Sequence, residues 1–431
     1  MTRQPGSSLK PAAATRSTLP SVRSAEVRTP TGGRWSVLIT VALTCFVGQS
    51  FARFSFGLLL PAMKSDLRVT YGLAGWLGTI NLAGYLLGTI LTSIASTRFP
   101  AHHIMQIGVA LATTGMFVLA TVNTVPLLLV GMALGGVGGA ASWIPAPIMA
   151  ASVFPPERRA LAMGATTAAI GVGIVVATAL TRSTRSFTGN PGAWRPIWAT
   201  EAAIGLAATV LAILVLRPIP LAGGAPPQLR VLRQVPRWWA PTIGYTFLGL
   251  AYVLFTTFAV SALEADAGFS KSHASNVYAL IGTGNALGAL SVGRIADRVG
   301  QRFTFAVSCL MAGAGCIAVL VGREPFVSVA GFGFGFGMAG GIVSITSYLG
   351  RTLAPQDFAA AFGVVTACFG VAQTIGPRLG GWIVDSTDSF RDVFLVAGSA
   401  WFICALMALG LPRRHQLAAL APPSGPSATT R

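Results

Sequence analysis

One arginine stands where a charged side chain is costly. Arg53 lies in the stretch QSFARFSFGLLLPAMKSDL, residues 49–67, which otherwise has the character of a membrane-spanning helix. A guanidinium in hydrocarbon costs several kcal/mol unless a partner compensates it. At about 1.5 Å per helical residue, Arg53 lies roughly 27 Å from Trp35 and 16 Å from Lys64. That depth is too great for the side chain to reach water easily.

Two uses of Arg53 stay open. Its planar, permanently charged fork suits a carboxylate or phosphate group of a ligand. Alternatively, Arg53 is a structural or gating residue that bonds Gln49, Asn81 or free carbonyls near Pro145. Glu201 is the one acidic residue inside an apolar run. It is therefore the candidate for an internal partner, and also for a group that carries a proton through the membrane.

Patterns that would indicate an enzyme are missing from the sequence. The five cysteines lie in apolar runs, where we expect inert core residues rather than disulfides or metal ligands. The four histidines fall in or beside loops, and no nucleophile–base constellation accompanies them. We expect no catalytic residue, no metal and no cofactor, and hence a protein that is not an enzyme.

The elements that position Arg53 follow from hydropathy. The 431 residues are 53% apolar and 10% charged, and apolar runs of about 20 residues, enough to cross a bilayer, recur from Trp35 to Leu411. These features predict an all-α polytopic membrane protein. We place its twelve spans near 36–62, 71–96, 104–122, 126–151, 160–181, 195–216, 240–263, 274–295, 303–321, 326–349, 359–383 and 392–412.

The net charge of +18 reflects topology. Basic residues concentrate in the tails and in alternate loops, which are the inner loops under the positive-inside rule. We therefore expect a multi-pass protein of the cell (plasma or inner) membrane with both termini cytoplasmic. The basic excess is explained by this orientation and by attraction to anionic lipid, so nucleic acid is not an expected partner.

Two similar halves are visible in the chain. GTINLAG at 78–84 matches GTGNALG at 282–288, and PERRALAMGATTAAIG at 156–171 matches PQDFAAAFGVVTACFG at 355–370. Parallel repeats of six helices are a transporter architecture, with a binding site where the halves meet. We predict a disordered cytoplasmic tail (1–34), two six-helix bundles (35–216 and 240–412) joined by a cytoplasmic linker (217–239), and a second cytoplasmic tail (413–431).

The segment GRIADRVGQR at 293–302 identifies a family. It resembles the signature G-x-x-x-D-R-x-G-[RQ]-[KR] of the major facilitator superfamily (MFS), with Gly293, Asp297, Arg298, Gly300 and Arg302 in their places. The resemblance implies the MFS fold, and it implies that these five residues form a cytoplasmic gating latch. We expect Gly293 to leave room for a neighbouring helix. The equivalent loop of the first half, GTILTSIASTRFPAHH, lacks the acidic residue.

The resemblance also implies a central cavity lined by the first, fourth, seventh and tenth spans. We expect substrate contacts from Arg53, Gln49, Trp143, Tyr252 and Gln373. Trp143 precedes Pro145 and Pro147, so a structural kink is the alternative explanation for that stretch. The glycines of the fourth and tenth spans, at 131, 135 and 139 and at 333, 337 and 341, predict close helix packing.

Taken together, these patterns predict a secondary active transporter that works by alternating access. Arg53 favours a small organic anion such as a carboxylate, and family behaviour favours proton coupling as a symporter or antiporter, with Glu201 as the coupling candidate. The alternative is an efflux antiporter of amphipathic drugs or secondary metabolites. The expected partners are a small-molecule substrate and the lipid bilayer, and the expected state is a monomer.

Overall fold

Twelve long helices make up the described part of the chain. The computed structural model describes residues 31–190, 192–218, 228–353 and 355–413. Most of both predicted tails and the middle of the linker lie outside these residues. The helices are α1 Gly33–Leu67, α2 Tyr71–Ala95, α3 Ala101–Thr121, α4 Val125–Ser152, α5 Pro156–Thr188, α6 Arg195–Val215, α7 Trp239–Ala265, α8 Lys271–Val299, α9 Gln301–Val319, α10 Phe326–Thr352, α11 Pro355–Thr387 and α12 Arg391–Gly410.

Eleven of the described helices are long and apolar enough to cross a membrane. The exception is α8, which has 29 residues and carries polar groups along its length. It nevertheless packs against α5 and α10 as the other long helices pack on one another. The predicted polytopic, two-bundle architecture is confirmed.

We name the two sides of the bundle by the course of α1. The proximal side is where α1 begins, and the distal side is marked by the turn at residues 68–70. There the chain reverses through Arg68 in a left-handed conformation (φ 53°). The Thr70 hydroxyl then accepts a hydrogen bond from the Leu73 N–H at 3.2 Å, which caps the start of α2.

Equivalent glycines pack the helices of each half. In α2, a methyl group added at Gly84 would lie 2.6 Å from the carbonyl oxygen of Ala133 in α4. In α8, a methyl group at Gly288 would lie 2.8 Å from the carbonyl oxygen of Phe336 in α10. Gly84 and Gly288 occupy corresponding positions of the sequence repeat, so both halves use the same close backbone approach. Such approaches are typical of membrane helices, where small residues allow tight packing.

Several details differ from the predicted spans. The first span runs on to Leu67 instead of ending at residue 62, and the fifth continues to Thr188 instead of residue 181. Both extensions project beyond the apolar stretch that hydropathy detects. The fourth span breaks between Trp143 and Ala146, as its prolines predicted, because proline cannot donate a backbone hydrogen bond.

Candidate functional site

The first helix leaves α-helical geometry where Arg53 lies. Residues Phe46–Phe54 form a π-helical segment inside α1, and such wider turns are rare and occur frequently at functional sites. Two side chains of this segment are tied to other helices. The Gln49 amide donates to the carbonyl of Gly139 in α4 at 2.8 Å, and the Ser50 hydroxyl donates to the carbonyl of Ile170 in α5 at 2.7 Å.

Arg53 is half-buried, and neutral groups hold its guanidinium. Nη1 donates to Gln49 Oε1 at 2.6 Å. Nη2 donates to the Tyr252 hydroxyl and to Gln373 Oε1, each at 3.2 Å. The ion pairs found among the described residues do not include Arg53. The charge therefore meets hydrogen-bond acceptors but no carboxylate in the part of the chain that is described.

The second half supplies two of these three partners. The Tyr252 hydroxyl of α7 donates to Gln373 Oε1 of α11 at 2.6 Å, which orients the amide toward Arg53. Gln373 Nε2 and Arg53 Nε are both buried and have no hydrogen-bond partner among the described residues. One unpaired donor within the guanidinium and a second on the neighbouring amide suit a ligand that brings acceptor oxygens.

Four of the five predicted substrate contacts thus come together: Arg53, Gln49, Tyr252 and Gln373. Trp143 does not join them in the described structure. It is half-buried and packs on the apolar core at the point where α4 breaks. The kink, given above as the alternative, describes this tryptophan better. Asn81, a further candidate partner of Arg53, instead donates to the carbonyls of Ala52 and Met132.

Tyr85 is a contact that the sequence analysis missed. The Arg53 guanidinium lies 4.0 Å from the centroid of the Tyr85 ring, a cation–π arrangement. Tyr85 follows Asn81 by one helical turn, so both face the same neighbour. That spacing was the available signal. The site therefore draws on α1 and α2 of the first half and on α7 and α11 of the second.

A cavity of about 30 Å³ adjoins Arg53. It is lined from both halves, by residues that include Asn81, Tyr252, Val253 and Tyr278. This volume is enough for roughly one water molecule. The halves must therefore separate before a larger ligand can reach the guanidinium.

Hydrogen bonds between the halves concentrate at the level of Arg53 and on the distal side. The Tyr278 hydroxyl of α8 donates to the carbonyl of Phe54 at 2.8 Å. Arg182 of α5 donates to Asn276 of α8 at 2.7 Å. At the distal ends of the helices, the Asp385 carboxylate of α11 accepts from the N–H groups at the start of α2. These contacts close the distal side of the cavity.

Glu201 is fully buried in α6 and does not pair with Arg53. Its Oε1 accepts a hydrogen bond from the Ser55 hydroxyl at 2.6 Å. Its Oε2 has no partner among the described residues. Ser55 directly follows the π-helical segment, and its N–H bonds the carbonyls of Ser50 and Arg53. Glu201 is thus connected to the Arg53 segment through Ser55.

The residues of the family signature lie at the proximal ends of α8 and α9. Asp297 accepts a hydrogen bond from Arg351 of α10 at 2.5 Å, and Arg302 donates to the Leu411 carbonyl at 3.4 Å. Gly300 joins the two helices with φ 95°, a conformation that favours glycine. The close helix approach expected at Gly293 is absent, since the nearest atom to an added methyl group lies at 3.9 Å. Arg298 lies in the last turn of α8.

Among the described residues, no cluster of three or more His, Cys, Asp or Glu side chains could hold a metal ion. The cysteines described are free, and four of the five are buried. The polar chemistry of the site therefore comes from one guanidinium, two amides and tyrosine hydroxyls. This set can bind and orient an anion.

Comparisons with known proteins agree with the fold. The family described as "Uncharacterised MFS-type transporter YbfB" matches residues 45–409. Monocarboxylate transporter 11 of Mus musculus is 26% identical over 416 residues, covering 89% of each chain. The purine ribonucleoside efflux pump NepI of Escherichia coli O6:K15:H31 is 23% identical over 388 residues, covering 86% of this chain and 93% of the pump.

A solved structure has the same fold. It is a bacterial homologue of the human lysosomal transporter Spinster, crystallised in an inward-facing, unoccupied conformation. Its TM-score is 0.68 at 16% identity, covering 91% of this chain and 97% of that chain.

Proposed function

The chain belongs to the family of MFS-type transporters, and on that premise we propose that it carries a small organic anion, with a carboxylate bound by Arg53. The observation that carries this proposal is the set of partners around the guanidinium. Among the described residues these are neutral oxygens of Gln49, Tyr252 and Gln373. A partly buried cation without an anionic partner is incompletely compensated, and a substrate carboxylate would supply that partner with stronger, charge-assisted hydrogen bonds.

The position of Arg53 supports the same proposal. Its partners come from both halves, so the halves hold it differently when they separate during alternating access. Arg53 Nε and Gln373 Nε2 have no hydrogen-bond partner among the described residues, so both donors would be available to a bidentate carboxylate. A relative of similar length is named a monocarboxylate transporter, which fits an anion of this kind.

We propose Glu201 as the proton-carrying residue. Among the described residues, the partner of this buried carboxyl group is a single hydroxyl, and acidic side chains inside membrane spans are typical members of proton relays. Ser55 connects Glu201 to the π-helical segment that carries Arg53. Gain or loss of the proton would alter the Ser55 contact, and through it the position of Arg53.

Orientation follows from charge. Proximal loops and helix ends carry many of the arginines, among them Arg98, Arg158, Arg159, Arg217, Arg294 and Arg302. By the positive-inside rule, the proximal side would be cytoplasmic, and so would both termini. The protein would lie in the plasma or inner membrane of the cell. A monomer would contain the complete site, since both halves belong to one chain.

A second function is favoured by one observation. The relative named a purine ribonucleoside efflux pump fits export of a neutral, planar molecule, in which case Arg53 would be a structural or gating residue. Export of amphipathic drugs or secondary metabolites belongs to the same alternative.

Ligand-induced thermal stabilisation of the purified protein separates the two functions. A ligand at one hundred times its Kd stabilises the folded state by about 2.7 kcal/mol. Organic anions, organic cations and neutral amphiphiles are each tested on wild type and on Arg53→Ala. Stabilisation by carboxylates that is lost in a folded Arg53→Ala supports the anion site. Stabilisation by neutral or cationic compounds alone, unchanged in the variant, overturns it.

A further inference from the structure

Aromatic rings stack along the part of the second half that faces Arg53. Tyr252 and Phe369 have ring centroids 5.6 Å apart with planes 8° from parallel, and Tyr245 also stacks on Phe369 at 4.6 Å and 25°. Tyr245 and Tyr252 lie two helical turns apart on one face of α7, the face toward α11. Offset stacks at such distances are the favoured geometry of aromatic pairs.

The stack continues toward the proximal side. Phe362 of α11 lies 6.2 Å from the Tyr245 ring, and Phe358 stacks on Phe362 at 5.3 Å and 13°. Phe358 is close to the proximal start of α11. We call these five rings (Tyr252, Phe369, Tyr245, Phe362 and Phe358) the aromatic ladder. It reaches from the proximal end of α11 to the hydroxyl that bonds Arg53.

The distal end of the ladder combines a ring with a charge. Tyr252 uses its ring face against Phe369 and its hydroxyl against Arg53 Nη2 and Gln373. Tyr85 of the first half covers the guanidinium from the other side at 4.0 Å. A cation bounded by two aromatic side chains from opposite halves presents an anion-binding subsite beside aromatic ring faces.

We infer from this arrangement that the transported anion is an aromatic carboxylate. Its carboxylate would bind Arg53 and Gln373, and its ring would stack among Tyr252, Phe369 and Tyr85 once the halves part. The rings of the ladder nearer the proximal side, Tyr245, Phe362 and Phe358, would offer the same stacking to a substrate that moves between the site and the proximal side. This inference rests on the proposed function, since it assigns Arg53 to the carboxylate.

Simple core packing does not account equally well for the ladder. The C-terminal half has a true core stack, Phe255 on Phe334 at 3.8 Å, in which both rings are fully buried. The ladder instead ends at Arg53 of the first half, and three of its rings retain 4–9% exposure. It also contains both tyrosines of α7, whose hydroxyls would be unnecessary in an apolar core.

Three probes of matched size test the inference in wild-type protein. Benzoate has a ring and a charge, cyclohexanecarboxylate has the charge without the aromatic ring, and benzamide has the ring without the charge. The Kd of each probe is measured by thermal stabilisation, and each probe is also tested as a competitor of benzoate transport. Burial of apolar surface favours the cyclohexane ring, so tighter binding of benzoate isolates the stacking contribution. We expect benzoate to bind about two- to tenfold more tightly, and benzamide to bind far more weakly.

Two variants complete the experiment. Phe369→Leu should abolish the preference for benzoate while cyclohexanecarboxylate still binds. Phe255→Leu alters the core stack away from the site and should leave the preference ratio unchanged. A preference that survives Phe369→Leu, or that disappears equally in Phe255→Leu, overturns the inference.

The outcomes also separate this inference from the proposed function. If both carboxylates bind equally and benzamide does not, Arg53 recognises an anion but the aromatic class is wrong. If benzamide binds as well as benzoate, charge is not recognised and the anion proposal itself fails. Both comparisons use wild-type protein, so they hold even if a variant does not fold.

Discussion

Nη2 of Arg53 in the first half lies 3.2 Å from Oε1 of Gln373 in the second half. Because α1 and α11 belong to different halves, this hydrogen bond exists when the halves are closed at this level. It must break when they separate. The partners of the charged group therefore change with the conformation, as the proposed binding and release of an anion at Arg53 requires.

The fork shape of Arg53 should matter as well as its charge. Arg53→Lys keeps the charge but replaces a planar, bidentate donor by a single ammonium. We expect substrate affinity to fall by roughly tenfold to a hundredfold, about 1.4–2.8 kcal/mol. Equilibrium binding of benzoate to purified variants measures this. Equal affinities for the lysine variant and wild type would show that only charge matters at this position.

Glu201→Gln should separate proton coupling from substrate binding. Glutamine keeps an oxygen that accepts from Ser55 but cannot exchange a proton. We expect the variant to bind substrate and to exchange it across vesicles with little change. Uptake driven by a pH gradient should be lost, as followed with a pH-sensitive dye in proteoliposomes. Ser55→Ala is the companion variant, since it leaves the carboxyl group and removes its partner.

Normal proton-driven accumulation by Glu201→Gln would exclude this residue as the coupling group. Loss of all binding in Glu201→Gln, with normal thermal stability, would instead place Glu201 in the substrate site.

Asp385 should stabilise the closed distal side. Its carboxylate accepts from the N–H groups of Tyr71 and Gly72 at 3.0 and 2.8 Å, and a negative charge at a helix N-terminus contributes about 0.3–1 kcal/mol, up to about 2. Asp385→Ala should therefore shift the population toward distal opening by roughly two- to thirtyfold. A cysteine introduced at Thr257, which lines the cavity, should react faster with an impermeant thiol reagent added from the distal side.

Asp66→Ala is the matched control for that experiment. Asp66 also lies at the distal side and pairs with Arg195 at 2.6 Å, but both belong to the first half. Its loss should leave the labelling rate nearly unchanged. If Asp385→Ala and Asp66→Ala accelerate labelling equally, the bond between the halves has no special role in closure.

Two glycine-to-alanine substitutions should have different effects on the free energy of unfolding. A methyl group at Gly136 of α4 would overlap the carbonyl oxygen of Asn81 in α2, whereas one at Gly293 has no neighbour closer than 3.9 Å. We expect Gly136→Ala to destabilise by about 1–3 kcal/mol through overpacking. Gly293→Ala should be neutral or stabilising by up to about 1 kcal/mol, because alanine favours helix. Thermal unfolding of both variants in the same detergent compares their stabilities. A similar loss of stability in both would contradict the close packing at Gly136 and the open space at Gly293.

The sequence by itself determined the twelve spans, the two related halves, the family and the depth of Arg53. Hydropathy and helical spacing are local properties, so they locate a span and the residues that share one of its faces. The pairing of Arg53 with Gln49 follows from such spacing, because residues four apart are neighbours on a helix. Gly300 was likewise readable from its motif, and its positive φ explains the glycine.

Only the tertiary structure decided which polar groups reach Arg53. The sequence offered Asn81 as an alternative partner of Arg53 and Trp143 as a substrate contact, yet Asn81 bonds backbone carbonyls and Trp143 packs at the break in α4. Tyr85 and the Ser55–Glu201 pair depend on how each helix is rotated about its axis and on how the halves dock. Those rotations are set by contacts between residues far apart in the chain, including the close glycine approaches. The π-helical segment adds to this, since regular helical spacing in the sequence does not show that α1 widens at Phe46–Phe54.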